Sequence, residues 1–199
     1  LEGELNEDLA QSFNFIEAGG RRLIRTIDMI LNMSQFQTGT YQPNLDKLDF
    51  ESQVIKSVLD ELSSLADQKG LKIVYTNNSD HSIIKGDLYT IGQIFVNLVE
   101  NAIKYSFEGE IKINVRDDGT DNLLVDVVDQ GIGMSDDFQK SIFTPFMQEE
   151  RGYSRKYEGN GLGLALVKKY VDVNNASISV NSEKGVGSVF TVTFKKYLN

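Results

Sequence analysis

From Tyr41 onward the apolar residues of this chain switch repeatedly between two periods, and few architectures accept that alternation. Apolar residues spaced two apart mark strands, and those three or four apart mark helices. A short strand is predicted near Tyr41–Leu48, then a helix from about Phe50 to Gln68 closed by Gly70. Strands follow at Leu71–Thr76 and near Ser82–Lys85, and Asp87 caps a helix running to about Tyr105. Glu110–Arg116 and Asn122–Val128 alternate apolar with polar residues and form a hairpin around Asp118-Gly119. A helix at Leu162–Asn174 and strands Ala176–Asn181 and Gly187–Lys195, joined by Glu183-Lys184-Gly185, complete the series. This order predicts an α/β domain with helices layered on one face of a mixed, mostly antiparallel sheet.

A different pattern precedes it. Leu9, Phe13, Ile16, Gly20, Leu23, Ile27, Ile30 and Ser34 recur at alternating spacings of four and three, the seam of a coiled coil or antiparallel helix pair. Gly19-Gly20 weakens that helix by ~1 kcal/mol per glycine. One helix cannot bury such a seam alone, so it wants a partner helix, most simply in sequence ahead of Leu1. An ordinary domain helix packed on the rest of the chain would leave the same trace. Gln37–Pro43 breaks the period, dividing the chain into a helical unit, 1–38, and an α/β domain, 39–199. Leu1-Glu2-Gly3-Glu4 has no initiator Met, and the chain reads as a piece of something longer.

Composition narrows the chemistry. At 199 residues, 40% hydrophobic and 25% charged, the chain is globular rather than disordered. A net charge of −9 gives no overall basic field for nucleic acid or anionic lipid, so neither nucleic acid nor a membrane surface is an expected partner. An anionic ligand must then be held by local cations and backbone N–H groups. Absence of Cys removes disulfides and thiolate chemistry and fits a reducing, cytoplasmic setting; a single His argues against the usual zinc sites. No apolar run approaches the ~20 residues that span a bilayer.

Within the helix Asp87–Tyr105, Ile91, Ile94, Phe95, Leu98 and Ala102 share one side, and Asn97, Asn101 and Lys104 cluster on the other. Asn is a poor choice for a merely solvated face. Two stacked amides suit a hard cation, with Lys104 offering charge to a phosphate; a plain polar face is the alternative. The strand Leu123–Val128 runs directly into Asp129-Gln130-Gly131-Ile132-Gly133, placing a carboxylate acceptor at a strand end where Gly131 and Gly133 let backbone approach a ligand. Such a carboxylate can accept from an exocyclic amino group such as that of adenine, or simply be solvated beside a tight turn. Gly159-Asn160-Gly161-Leu162-Gly163-Leu164 opens the next helix, leaving free N–H groups and a positive dipole end for a phosphate; a flexible linker is the bland reading. Between these lie Phe143-Thr144-Pro145-Phe146 and a polar stretch, Met147–Glu158, whose Arg151, Arg155 and Lys156 can close over phosphates if the stretch is a hinged loop. Gly185-Val186-Gly187-Ser188 is either a hairpin turn or brings Ser188 to the Asp129 end of a pocket.

Taken in order, these segments resemble the GHKL ATPase superfamily and, within it, the sensor histidine kinases of two-component systems. Asn97–Ser106 resembles the N-box, Asp129–Gly133 and Gly159–Leu164 the first two glycine boxes, Phe143–Phe146 the F-box and Gly185–Ser188 the last glycine box. Arg21–Ser34 is similar to the second helix of the dimerisation and phosphotransfer domain, so that 1–38 would be part of that domain and 39–199 the catalytic domain. The resemblance implies a Bergerat two-layer sandwich holding ATP or ADP under a lid. It also implies Mg²⁺ on Asn101 with Asn97, adenine read by Asp129, phosphates met by Lys104 and the second glycine box, and Tyr105 beside the nucleotide. A response-regulator receiver domain and, for the parent protein, a homodimer are the implied partners, with room for an anchor in the cytoplasmic membrane.

Two departures matter. The family's phospho-acceptor His, with an acidic residue and Arg-x-Pro after it, is absent: His81 in Asp80-His81-Ser82 has none of those neighbours. Gyrase, the Hsp90 chaperones and the mismatch-repair ATPases carry Glu where Asn97 stands, to orient water; Asn cannot act as that base.

Overall fold

The computed structural model describes residues 2–149 and 160–198, in two compact units, 1–41 and 42–199. The first unit is one helix, α1 (Glu2–Thr38), continuous through Gly19-Gly20. Gly39, with φ 66°, ends it, and Thr40 N–H donates to the Gln35 carbonyl at 3.0 Å. Along this helix Leu9, Phe13, Ile16, Leu23, Ile27 and Ile30 are all exposed, so the heptad seam stands open.

In the second unit, β1 (Leu45–Asp49) pairs antiparallel with β3 (Ile83–Asp87), and the main sheet has five strands. Its order is β2 (Lys72–Asn77), β4 (Glu110–Asp117), β5 (Asn122–Asp129), β7 (Gly187–Lys195) and β6 (Ser177–Glu183). Only β2–β4 is parallel; the other pairs are antiparallel, giving the mixed, mostly antiparallel sheet. The helices α2 (Lys56–Gln68), α3 (Leu88–Tyr105) and α5 (Gly163–Val173) share a core with one face of it. Alternation decides which face: Ile111, Ile113 and Val115, Leu123, Val125 and Val127, and Phe190, Val192 and Phe194 are all buried. Phe50, Phe95 and Phe194 form a cluster with centroids 5.1 to 6.2 Å apart, each ring fully buried or nearly so and contributing about 2–3 kcal/mol by area. The opposite face is polar: Asp126 accepts from Arg116 Nε at 2.8 Å and from Thr191 Oγ1 at 2.7 Å across three strands.

Several boundaries differ from expectation. The segment from Phe50 begins with a π-helical turn, Phe50–Ile55, capped by the Asp49 carboxylate, before α2 starts. Tyr41 is not in a strand, since β1 starts at Leu45. A four-residue helix, α4 (Asp136–Gln139), capped by Ser135, has too few residues to carry a period. Asp87 ends β3 and caps α3 at once, accepting from Thr90 N–H at 2.8 Å and from Asn44 N–H at 2.8 Å.

A buried polar knot ties the layers together. Asn174, just after α5, accepts from Asp87 N–H at 2.7 Å and donates to Thr90 Oγ1 at 2.8 Å and the Tyr170 carbonyl at 2.7 Å. Asn174→Ala orphans the Asp87 N–H in a dry site, so a loss of roughly 2–3 kcal/mol in chemical denaturation is expected.

Candidate functional site

Each piece of the site is placed by an element whose sequence dictates its direction. On β5 the inward side chains are Leu123, Val125 and Val127, so the same parity sends Asp129 to the helix side as the strand ends. There it is 8% exposed and lies opposite Ser188 in the β5–β7 register, and Ser188 is itself 7% exposed. The Gly131 N–H donates to Asp129 Oδ1 at 2.8 Å. Burial pushes the Asp129 carboxyl above its ordinary range, while the Gly131 N–H and the N–H and hydroxyl of Ser188 pull partly back. Ser188 Oγ also lies 3.0 Å from Ser182 Oγ.

Asn97 does not stand on an open polar face. It is 7% exposed, because Val96, Val99 and Ile103 are buried along with the expected apolar side and α5 covers this part of α3. Its Nδ2 donates one hydrogen to the Gln93 carbonyl at 2.7 Å, with Oδ1 on the other side of the amide. That oxygen faces the start of α5, 3.0 Å from where a Cβ on Gly163 would stand. One turn further, Asn101 is half-buried and its side chain makes no hydrogen bond within the described residues. Lys104 donates to the Tyr105 hydroxyl at 3.1 Å, with Nζ 4.7 Å from the ring centre; both residues are half-buried.

The start of α5 carries no side-chain cap: Leu162 is the capping residue and its own N–H donates to Asn160 Oδ1 at 3.1 Å. Gly163 and Leu164 therefore lie in an uncapped first turn, whose N–H groups and dipole favour an anion. Upstream, Phe146 (φ 63°, 72% exposed) donates its N–H to the Gly161 carbonyl at 2.9 Å. Arg151 and Gly159, with Arg155 and Lys156, lie outside the described residues.

The glycines serve a purpose the sequence reading did not assign. A Cβ on Gly131 would stand 2.6 Å from the Tyr105 carbonyl, on Gly133 1.9 Å from the Glu183 carbonyl, and on Gly161 2.8 Å from the Phe146 carbonyl carbon. On Gly187 it would stand 2.1 Å from the Asp129 carbonyl. The bare positions are filled by the protein itself, so the turns interlock: Gly185 N–H donates to the Ile132 carbonyl at 2.7 Å and Ile132 N–H to the Tyr105 carbonyl at 3.2 Å. Tyr105, Asp129, Gly131, Gly133 and Ser188 thus lie where the ends of α3 and β5 and the β6–β7 turn interlock; Asn97, Asn101 and Lys104 lie along the second half of α3, and Gly161, Leu162, Gly163 and Leu164 at the start of α5, where Gly163 meets Asn97. Two concavities of about 450 and 620 Å³ lie elsewhere, around Tyr75 and Asp60 and around Tyr89 and Gln53; none of these residues lines either. No group of three or more His, Asp or Glu side chains suited to a metal occurs among the described residues. The oxygens of Asn97 and Asn101, one helical turn apart, are the hard donors here and fit Mg²⁺, which takes few protein ligands and keeps phosphates and water. Among the described residues no helix is long and apolar enough to cross a membrane.

Residues 86–198 match the family model described as "Histidine kinase-, DNA gyrase B-, and HSP90-like ATPase". The autoinducer 2 sensor kinase/phosphatase LuxQ of Vibrio cholerae is 31% identical over 193 residues, covering 94% of this chain and 22% of that protein. Hybrid signal transduction histidine kinase L of Dictyostelium discoideum is 32% identical over 206 residues, covering 100% of this chain and 12% of that one. The chain spans about a fifth or less of the length of these curated relatives. Among solved structures, full-length ShkA in complex with AMPPNP superposes with a TM-score of 0.78 at 24% identity, covering 89% of this chain and 37% of that chain. The catalytic domain of histidine kinase ThkA gives 0.66 at 22% identity, covering 77% of this chain and 96% of that one.

Proposed function

The chain belongs to the histidine kinase-, DNA gyrase B- and HSP90-like ATPases, and from that premise we propose that it is the ATP-binding catalytic part of a sensor histidine kinase. It holds Mg·ATP and presents the γ-phosphoryl group to the imidazole of a His on a dimerisation helix supplied from outside this chain, for relay to an Asp of a response regulator. The observation that carries the reading is the residue at 97. It is an amide whose nitrogen donates to the Gln93 carbonyl and whose oxygen faces the start of α5. An amide cannot take a proton from water, so α3 offers no base at that position and favours transfer to a nucleophile that arrives ready, a neutral imidazole.

The remaining roles follow from charge and placement. Asp129 accepts from the adenine amino group, and Ser188 and the Gly131 N–H hold its carboxylate in place. The uncapped turn at Gly163 and Leu164 and the ammonium of Lys104 take the phosphates. Tyr105 lies beside the nucleotide, and Asn101 with Asn97 would hold Mg²⁺, which when bound supplies the charge that steadies the phosphate oxygens during in-line transfer. Phe146, Arg151 and Gly159 complete the proposed nucleotide contacts. His81 is exposed in the β2–β3 connection, its Nδ1 3.2 Å from the Asp80 carbonyl, and is not the acceptor. The open seam of α1 is suited to a partner helix, consistent with homodimerisation of the full protein.

Incubating the chain with Mg·ATP labelled at the γ-phosphate and a separately made acceptor helix tests this. Acid-labile phosphohistidine, lost on chelating Mg²⁺, is the expected product. Phosphoserine would point to a serine kinase of the same superfamily, and tight nucleotide binding without transfer to a sensing module; either overturns the proposal.

A further inference from the structure

The far end of α3 rests on a support that the roles above leave out. Immediately after α2, Lys69 extends its ammonium to the C-terminus of α3, where Nζ donates to the carbonyls of Ile103 at 2.8 Å, Lys104 at 2.9 Å and Ser106 at 3.4 Å. The last carbonyls of a helix have no partner inside it and normally turn to water. This turn is packed instead: Ile103 and Ser106 are each 2% exposed, and the Ser106 hydroxyl is buried with no hydrogen-bond partner. An ammonium carries three donors and brings positive charge to the negative end of the helix dipole. Lys69 has no carboxylate partner among the described residues, so those carbonyls are its binding site.

The carbonyl that the lysine skips, that of Tyr105, accepts from Ile132 N–H at 3.2 Å, and Gly131 packs so closely on it that a Cβ would stand 2.6 Å away. Gly131 in turn donates to Asp129 Oδ1 at 2.8 Å. The end of α3 is therefore gripped from two sides, by Lys69 on one and by the turn after β5 on the other. We infer that Lys69 is a positioning residue for nucleotide binding. It touches no ligand; it fixes the last turn of α3 and, through the Tyr105 carbonyl, the places of Lys104, Tyr105 and Asp129. The inference rests on the nucleotide-binding reading of this same site.

A lysine that only capped a helix would affect stability and leave ligand affinity alone. The test compares wild type, Lys69→Met and Lys69→Arg by calorimetric titration with Mg·ADP, at a temperature where circular dichroism shows each protein folded, with thermal melts alongside. Lys69→Met is expected to bind about tenfold more weakly while folded, and Lys69→Arg to recover most of the loss. A Lys69→Met protein that melts lower yet binds with wild-type affinity overturns the inference and leaves the nucleotide reading standing. A wild type with no affinity for Mg·ADP defeats that reading, and the inference with it. Should Lys69→Met not fold, Lys69→Gln, which keeps two donors and no charge, takes its place under the same criteria.

Discussion

Asp129→Asn is expected to weaken adenine nucleotide binding by about thirtyfold while raising thermal stability at neutral pH. The affinity loss follows from the proposed contact: a hydrogen bond to a buried carboxylate is worth about 2 kcal/mol, which is the thirtyfold. The stability gain follows from the site as it stands without ligand. Burial is the largest influence on the Asp129 carboxyl and pushes its pKa up, so the ionised form is disfavoured in the folded state relative to the unfolded chain. The penalty is fully present above that raised value and is relieved as the pH falls through it toward the ordinary aspartate range. The neutral amide avoids the penalty at every pH. Melts of both proteins should show the largest gap near pH 7 and a narrowing gap on acidification, with calorimetric titration giving the affinities. Undiminished nucleotide affinity in the variant would remove the adenine-reading role; a gap that widens on acidification would contradict the electrostatics.

The second large effect is structural. Gly187 has φ 136°, and an added Cβ would lie 2.1 Å from the Asp129 carbonyl oxygen and 3.0 Å from Gln130 Cα. Neither obstacle is a flexible side-chain tip, so the β5–β7 ladder must part where Asp129 and Ser188 face each other. Gly187→Ala should cost about 3 kcal/mol or more, a fall in Tm on the order of 10 °C for a domain of this size. Gly185→Ala is the control. It shares the positive φ, at 83°, but no atom lies within 4 Å of the added Cβ, so only the backbone cost of about 1 kcal/mol applies. Equal losses at the two positions would show that conformation, not interlocking, explains the glycines.

Periodicity in the sequence revealed the architecture because strands and helices here bury one face each. β4 alternates, and in β5 Leu123, Val125 and Val127 share the buried helix-side face, so the inward parity of Val127 sends Asp129 toward the helices. The π-helical turn at Phe50–Ile55 was not legible, since its apolar spacing is that of any helix start and only the backbone pitch differs. Burial of Asn97 was missed, although a signal existed: from Ile94 to Ile103 the helix is apolar on nearly every side, which marks a helix covered by more than one neighbour. The glycines are legible as bare positions, but the protein atoms packed against them are not, because sequence shows that a Cβ is missing and not what stands beside the gap. Lys69 and Asn174 had no readable signal at all. A lysine after a helix and an asparagine at a helix end are ordinary there, and the partners that tie them to α3 lie more than thirty and more than eighty residues away.

The two ends of α5 are each fixed against α3. At one, Asn174 is knotted to Asp87 and Thr90; at the other, Gly163 abuts Asn97. α5 therefore works as a strut of set length, and the count of residues between those attachments sets how far the uncapped N–H groups stand from the paired amides. One residue more or less would move that terminus by about 1.5 Å and swing it through about 100°. Surface connections can lengthen at little thermodynamic penalty. In this domain the gauge of the site is a helix, and evolution has less freedom to alter its length than that of any loop beside it.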